Sequence, residues 1–238
     1  MSEWKARRFW TSAEVVPTGD GYGVALDGRP VRTPAKAELR LPSRALAEAV
    51  AAEWEAQEDV IDPTVMHVTR AANAALDKVA PQRAEVLTLL AEYGDTDLVC
   101  YRADAPEGLV KRQTAAWDPL LDWAEERFGA RLISVQGVMH AAQPPAALDR
   151  LSAPLQEMSV FELTAMHDLV SLSGSLVIGL AAAEGAWPAG TLWEHSRIDE
   201  RWQQEFWGVD SEAEAMAEER RRAFLRARRF LEMLGAGD

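Results

Sequence analysis

The sequence predicts an α+β fold: a small N-terminal domain of antiparallel strands with a covering helix, followed by a larger, mainly α-helical bundle. The first forty residues of the 238-residue chain carry short apolar runs separated by glycine-containing turns, which is typical of hairpins. After about residue 62, apolar residues recur at helical spacing. Hydrophobic residues make up 48% of the chain, as in ordinary globular proteins. We expect the two domains to comprise residues 1–78 and 79–238.

The N-terminal domain is predicted from its turns and from one capped helix. The predicted strands are residues 13–16, 22–26, 30–33 and 39–41. Asp27-Gly28 is a strong hairpin signal between two of them. A helix should begin after Ser43, whose hydroxyl is a preferred N-cap. Its apolar stripe of Leu46, Val50 and Trp54 is expected to cover the sheet.

From about residue 62 to the end, the chain is predicted to be a series of helices. The predicted helices are residues 64–79, 81–93, 107–117, 118–129, 145–157, 160–184, 190–208 and 211–235. Asp118 followed by Pro119 indicates a new helix start, and Gly129 a helix end. Residues 131–135 are a possible isolated strand. Ser211 and Glu214 form a capping-box pattern for the last helix.

Composition excludes several classes of function. The chain has 38 acidic and 25 basic residues, a net charge of −13, which argues against binding to nucleic acid or to an anionic membrane. Cys100 is the only cysteine, so an internal disulfide is excluded and a buried, inert thiol is expected. The charged N-terminus shows no secretory signal. Residues 169–183 are uncharged but too short and too polar to span a bilayer. We expect a cytoplasmic protein.

The chain lacks the common motifs for metal, phosphate or nucleophilic catalysis. We therefore expect no catalytic residue, no metal and no cofactor. Asp95 and Asp97 follow a predicted helix, where a helix cap and an Asx turn are the simpler interpretation. The alternative is a small-molecule hydrolase or acid–base enzyme, in which the two carboxylates work with a histidine such as His167 or His195.

The segment from Trp193 to Gly208 is the most informative surface candidate. Taken as one helix advancing about 100° per residue, it places Ile198, Trp202 and Phe206 on a core-facing stripe. Glu200 and Trp207 then lie about 20° apart on the opposite side. The residues flanking them are Trp193, Arg197, Gln203 and Gln204. Tryptophans around a carboxylate are typical of binding hot spots, but a neighbouring helix could equally bury them. Both interpretations stay open from the residues alone.

Six motifs, spread in order over almost the whole chain, resemble a known family. They are Arg8-Phe9-Trp10, Leu26-Asp-Gly-Arg-Pro-Val-Arg-Thr-Pro34, Glu53-Trp54-x-x-Gln57, Tyr93-Gly-Asp-Thr-Asp-Leu98, Gln113-x-x-x-Trp117-Asp-Pro119 and Ser196-Arg197-x-x-Glu200-x-x-Gln203-x-x-x-Trp207-Gly208. The family is that of the assembly chaperones that help build the F1 sector of ATP synthase by binding its α subunit. Its members are similar in having an N-terminal α+β domain and a helical bundle.

The resemblance implies a chaperone that holds the free α subunit and covers the surface destined for the β subunit. Our hypothesis is that Glu200 substitutes for a carboxylate of the natural partner and engages a basic group on the α subunit. The surrounding partner-binding residues are then Asp199, Gln203, Trp207, Arg197 and Trp193. Structural roles are expected for Trp54, Gln57, Asp95, Asp97 and Trp117. We expect a monomer in the bacterial cytoplasm, with mitochondrial relatives in the matrix. A generic protein-interaction adaptor is the remaining alternative.

Overall fold

The computed structural model describes residues 7–208 and 210–235 and divides the chain into two units. The first unit comprises the described residues up to Arg83, Ser159–Thr164 and the described residues from Arg229 onward; the second comprises Ala84–Met158 and Ala165–Arg228. An antiparallel sheet near the N-terminus and a mainly helical remainder confirm the predicted fold class. The boundary predicted between residues 78 and 79 stays a prediction.

A three-stranded antiparallel sheet forms the first layer of the first unit. Its strands, in spatial order, are β1 (Ala13–Thr18), β2 (Gly21–Leu26) and β3 (Arg29–Pro30). Asp27 and Gly28 both have positive φ, which this tight turn requires. The Asp27 carboxylate also accepts hydrogen bonds from the backbone amides of Thr11 and Ser12. The first two predicted strands are confirmed; the third is shorter, and the fourth contributes only an isolated bridge between Leu41 and Tyr22.

Helix α1 (Arg44–Glu55) packs on β1 and β2 as the second layer of this unit. The Ser43 hydroxyl accepts from the amide of Leu46, so the predicted N-cap is confirmed. Leu46 and Val50 are fully buried, whereas Trp54 is half-buried and meets Trp10 edge to face at 5.3 Å. The apolar stripe therefore covers the sheet as its spacing predicts.

The Glu53-Trp54-x-x-Gln57 motif joins the end of α1 to the segment that follows it in the first unit. After the 3-10 turn Pro63–Val65, the chain enters α2 (His67–Ala74), which continues as a π-helical turn, Ala75–Val79. Both carboxylate oxygens of Glu53 accept from the first amides of α2, at 2.7 Å each. The Gln57 side chain accepts from the amide of Asp62 at 2.7 Å. Glu53 thus caps α2, an end with no side-chain cap of its own.

The remaining described residues form mainly helices, together with one short parallel strand pair. The helices are α3 (Arg83–Glu92), α4 (Glu107–Phe128), α5 (Pro145–Glu157), α6 (Val160–Ser173), α7 (Leu176–Glu184), α8 (Ala189–Ser196), α9 (Ile198–Trp207) and α10 (Ser211–Gly235). The strands are β4 (Tyr101–Arg102) and β5 (Val135–Gln136). Among the described residues, no helix combines the length and apolarity needed to cross a membrane.

Three predicted helix boundaries are wrong, each for a structural reason. The helices predicted on either side of Pro119 are one helix, α4, because its continuous buried face outweighs the missing amide. The predicted helix 160–184 is divided at Gly174, which has a φ of 72°. The predicted helix 190–208 is divided at Arg197, which has φ −117° and ψ 17°.

The start of α10 has a different cap from the predicted one. The carboxylate of Asp210 accepts from the amides of Glu212 and Ala213. Asp210, rather than Ser211, therefore satisfies the first free amides of this helix. Within this helix Phe224 is buried and Met216 is exposed.

Candidate functional site

Helix α4 positions α8 and α9 in the second unit through two buried side chains. The indole nitrogen of Trp117 donates to the backbone carbonyl of His195, at the end of α8, at 2.8 Å. The side-chain amide of Gln113 donates to the carboxylate of Asp199, in the first turn of α9, at 2.6 Å. Gln113 also accepts from the amide of Ala103. The two hydrogen bonds fix the chain on both sides of Arg197, where the helix is interrupted.

A second set of contacts fixes the middle of α9. The Trp202 ring lies against Gly108, where a Cβ atom would stand only 2.7 Å from the ring. The Arg112 guanidinium lies 4.7 Å from the centre of that ring and binds both carboxylate oxygens of Glu205, at 2.6 and 2.8 Å. This hydrogen bonding lowers the pKa of Glu205. The expectation that Trp202 faces inward is therefore confirmed.

The outer end of α9 carries exposed aromatic side chains. Trp207 is 83% exposed and Phe206 is 65% exposed. The prediction that Phe206 belongs to the core stripe is wrong. Trp202 packs against Gly108 in the first turn of α4, whereas Phe206, one turn later in α9, is largely exposed. Among the described residues, the Trp202 ring at 4.9 Å is its one aromatic neighbour. Met216, at the start of α10, is also exposed. Two large aromatic side chains exposed at adjacent positions of one helix, Phe206 and Trp207, mark a candidate interaction surface.

Trp193 does not belong to that surface, and the prediction that it flanks Glu200 is wrong. Its side chain is 2% exposed and packs against Phe224 of α10, with ring centroids 5.8 Å apart. The guanidinium of Arg197 lies 5.6 Å from the centre of its ring. The rule of about 100° per residue does not apply across the break at Arg197. Trp193 and Glu200 therefore lie on separate helices, and Trp193 is buried whereas Glu200 is half-exposed.

Glu200 and Trp207 do share one side of α9, because both lie within the same unbroken helix. The Glu200 carboxylate is half-exposed and pairs with Arg197 at 2.8 Å. Gln203 is exposed between Glu200 and Trp207, while Gln204 donates to Glu214 of α10 at 3.2 Å. We call Glu200, Gln203, Phe206 and Trp207 the α9 surface. It combines aromatic area with a carboxylate and an amide that are open to solvent.

Asp95 and Asp97 lie in different surroundings. Asp97 is fully buried; its carboxylate accepts from the amides of Val99 and Val177, at 3.2 and 3.0 Å. Burial raises the pKa of Asp97 to about 6. Asp95 accepts from the amide of Gln143 and lies 3.4 Å from His140. Asp97 thus joins two segments in the interior, as a structural role predicts.

Within the described part of the chain, neither His167 nor His195 is an ion-pair or hydrogen-bond partner of these carboxylates. His167 pairs with the adjacent Asp168, which raises its pKa, and burial lowers the pKa of His195 on α8. Cys100 is buried, and burial raises the pKa of its thiol to about 12, so it is an inert thiol. Within residues 7–208 and 210–235, no group of three or more His, Cys, Asp or Glu side chains could hold a metal ion.

The model of the ATP12 chaperone protein family matches residues 7–125, half of the chain. The chain belongs to the ATP12 chaperone family. It is therefore a chaperone of ATP synthase assembly, from the F1-ATPase assembly chaperone family that its motifs resemble. The matched range includes α4, and the α9 surface lies outside it.

Whole-chain comparisons extend the ATP12 family match through the α9 surface. The crystal structure of Atp12 from Paracoccus denitrificans is 50% identical and covers 98% of this chain and 100% of its own, with a TM-score of 0.94. A structure from Agrobacterium tumefaciens is 42% identical, with a TM-score of 0.90, and covers 96% of this chain and 86% of its own. Protein atp12, mitochondrial, from Schizosaccharomyces pombe is 22% identical and covers 85% of this chain and 74% of its own.

Sequence reasoning missed the positioning role of the first turns of α4. Gly108 and Arg112 hold Trp202 and Glu205, yet neither stood out in the sequence. A glycine near the start of a predicted helix is the one available signal, since glycine disfavours helices and its presence there indicates a close contact. Which residue approaches it depends on the tertiary fold.

Proposed function

We propose that this chain binds the free α subunit of the F1 sector and shields its β-subunit interface until assembly. The observation that supports this most directly is the α9 surface, where Trp207 is 83% exposed on a helix whose other face is held firmly by α4. An unassembled subunit of a ring exposes a large apolar interface. A rigidly presented aromatic side chain is the kind of anchor that such an interface accepts.

Glu200 is proposed to supply the charge that the natural neighbour provides. Its carboxylate pairs with Arg197 in a half-exposed position, and such surface ion pairs contribute only about 0–1 kcal/mol. A basic group of the α subunit can therefore replace Arg197 as the ion-pair partner of Glu200 at a small cost in free energy. Gln203 is free to contribute a hydrogen bond beside it. Asp199 acts through positioning, because its carboxylate is occupied by Gln113.

Capture of isolated α subunit tests this proposal. Glu200→Lys should reduce capture strongly because it reverses the charge that complements the α subunit, and Glu200→Gln should have an intermediate effect. Trp207→Ala should also reduce capture strongly because it removes the exposed aromatic area. Glu126→Gln and Glu126→Lys are the matched controls, since Glu126 is exposed on α4 and away from α9. Undiminished capture by folded Glu200 and Trp207 variants would contradict the assignment of the α9 surface.

Specificity separates the chaperone from a generic adaptor. The free α subunit should co-purify with this chain, whereas the assembled F1 complex should not, because assembly covers the same interface. Capture of assembled F1, or equal capture of unrelated basic proteins, would favour the adaptor instead.

We further propose a cytoplasmic monomer without enzymatic activity. The buried Asp97 carboxylate is occupied by backbone amides, which does not favour the acid–base alternative. The structural relatives come from Paracoccus denitrificans and Agrobacterium tumefaciens, which is compatible with a bacterial member. Sedimentation of the purified chain at micromolar concentration tests the oligomeric state.

A further inference from the structure

The segment between α4 and α5 contains a strand with one uncovered side. β5 pairs in parallel with β4, and within the described residues these two strands form a sheet of their own. The segment belongs to the second unit, as the α9 surface does. The proposed function assigns no role to it so far.

Hydrogen bonds occupy the inner side of this segment. The amide and the carbonyl of Ile133 bind the two ends of the Gln143 side chain, at 2.7 and 2.8 Å, and Gln143 is buried. The amide of Gly137 donates to the carbonyl of Arg102, in β4, at 2.8 Å. The side that faces the rest of the unit is therefore satisfied by the fold itself.

The main-chain groups of Gln136 point to the opposite side. Peptide groups of successive residues in a strand point to alternate sides, so those of Gln136, next to Gly137, face away from β4. Gln136 is exposed, and none of residues 7–208 or 210–235 forms a hydrogen bond with its main chain. We call its N–H and C=O groups the β5 edge. Another extended backbone can pair with such an edge.

The β5 edge lacks two features that commonly prevent strand addition, charged residues and proline. Residues 132–139, Leu-Ile-Ser-Val-Gln-Gly-Val-Met, contain neither. Val138 is 92% exposed and Met139 is 81% exposed, and Ile133 is half-exposed. Unpaired main-chain groups beside exposed apolar side chains are complementary to an extended, uncharged and apolar segment.

Contacts at both ends hold the β5 edge in place before any partner binds. Gln143, which holds Ile133, also donates its own main-chain amide to the Asp95 carboxylate at 2.9 Å. At the other end, the Nδ1 of His140 lies 3.2 Å from the Tyr101 hydroxyl, and its Nε2 lies 3.4 Å from the Asp95 carboxylate. An edge ordered in advance lowers the entropy cost of binding.

We propose that the β5 edge binds an extended apolar segment of the free α subunit as an added strand. This contact, which rests on the proposed function, is additional to the α9 surface. An unassembled ring subunit exposes apolar area that can supply the segment. A second copy of this chain is disfavoured as the occupant, because each copy carries a net charge of −13 and like charges repel. Since β5 is short, the added strand gains about two main-chain hydrogen bonds, and Val138 and Met139 contribute apolar contacts.

Hydrogen exchange at single amides tests the added strand, in the full-length chain alone and bound to isolated α subunit. In the free chain the Gln136 amide should exchange quickly and the Gly137 amide slowly, because Gly137 donates to Arg102. In the complex, exchange at Gln136 should slow by about ten-fold or more. Capture without this protection would overturn the added strand and leave the proposed function intact. Absence of capture by the unaltered chain would contradict both.

Proline at position 136 tests the same hydrogen bond through affinity. Gln136→Pro removes an amide for which the described residues supply no acceptor, a change that an edge position tolerates. It should weaken capture about three- to thirty-fold, because a carbonyl of the bound segment loses its donor. The loss should be equal at low and high salt, since no charge changes. Gln136→Ala, which keeps the amide, should capture as the unaltered chain does. Equal capture by the two folded variants would overturn the proposal.

Two further outcomes concern the apolar contact and the identity of the occupant. Val138→Ser should weaken capture about three-fold or more, whereas Val65→Ser, at an exposed valine of the first unit, should not. Equal capture by these two variants would overturn the apolar contact. Protection of the Gln136 amide that appears in the chain alone as its concentration rises would assign the β5 edge to a second copy and overturn the proposal.

Discussion

The side-chain amide of Gln113 donates to the Asp199 carboxylate at 2.6 Å, joining the buried face of α4 to the first turn of α9. The same side chain accepts from the backbone amide of Ala103. Gln113 therefore satisfies two polar groups from different segments with one amide. Asp199, expected from the sequence to face a partner, uses one carboxylate oxygen for this bond. The orientation of the α9 surface depends on this bond.

Gln113→Leu should lower the free energy of unfolding by about 1–3 kcal/mol, because two polar groups lose their partner in a buried position. Hydrogen exchange should accelerate within residues 198–207 and much less in α5. Gln203→Leu is the control, since Gln203 is exposed on the same helix, and it should change stability by less than about 0.5 kcal/mol. Unchanged exchange in α9 after Gln113→Leu would show that the hydrogen bond does not hold this helix.

Trp54→Ala should reduce stability before it affects binding. Trp54 is half-buried and packs against Trp10 in the first unit, so truncation removes roughly 1–3 kcal/mol of packing. The melting temperature should fall by several degrees. Capture of the α subunit at a temperature where the variant is folded should equal that of the unaltered chain. Lost capture with an unchanged melting curve would assign Trp54 to the partner interface.

Asp97 should make the chain more stable as the pH falls from about 6 to 4. Because burial raises its pKa from 3.8 to about 6, the folded chain binds a proton in this range that the unfolded chain does not. Stability therefore rises on acidification through the folded pKa, and the buried charge is a cost at pH 7. Two pKa units correspond to roughly 3 kcal/mol.

Comparison with Asp97→Asn isolates this contribution, since the other carboxylates titrate in both proteins. Urea unfolding at pH 7, 6, 5 and 4 should show the difference in unfolding free energy shifting by about 3 kcal/mol in favour of the unaltered chain at low pH. For Asp104→Asn, at an exposed position, the difference in unfolding free energy from the unaltered chain should not change with pH. A flat difference for Asp97→Asn would mean that its carboxyl titrates normally.

Local signals in the sequence predicted those parts of the fold that local chemistry determines. Asp27-Gly28 adopts the positive φ values of its turn, Ser43 caps α1, and Gly129 ends α4 in a left-handed conformation. In each case a single residue type has a conformational or hydrogen-bonding property that its neighbours lack. Such features need no knowledge of the tertiary structure.

The features that were predicted wrongly depend on distant contacts. Pro119 signals a helix start, but burial of Trp117 and Leu120 on one face carries α4 through it. Arg197 interrupts a helix without glycine or proline, where α4 holds the chain at His195 and Asp199. The burial of Trp193 depends on Phe224, from a helix that comes later in the chain. Periodicity within one segment cannot reveal any of these partners.

Gly108 should tolerate a methyl group only if Trp202 gives way. An alanine in a helix usually stabilises it by up to about 1 kcal/mol relative to glycine, but a Cβ at position 108 would stand 2.7 Å from the Trp202 ring. Gly108→Ala should therefore lower stability, or at best leave it unchanged, and displace the ring. Gly190→Ala is the matched control: Gly190 lies in α8, and a Cβ there meets nothing within 4 Å, so this change should be stabilising.

A double-mutant cycle with Trp202→Leu identifies the cause. In the Leu background the ring is absent, so Gly108→Ala should regain its helix-propensity benefit, which gives a coupling of about 1 kcal/mol or more. The displaced ring would also disturb the contact that Arg112 makes with it beside Glu205. Capture of the α subunit by Gly108→Ala should then weaken although no residue of the α9 surface has changed. A stability gain equal to that of Gly190→Ala, with capture intact, would show that α4 does not orient α9 through this contact.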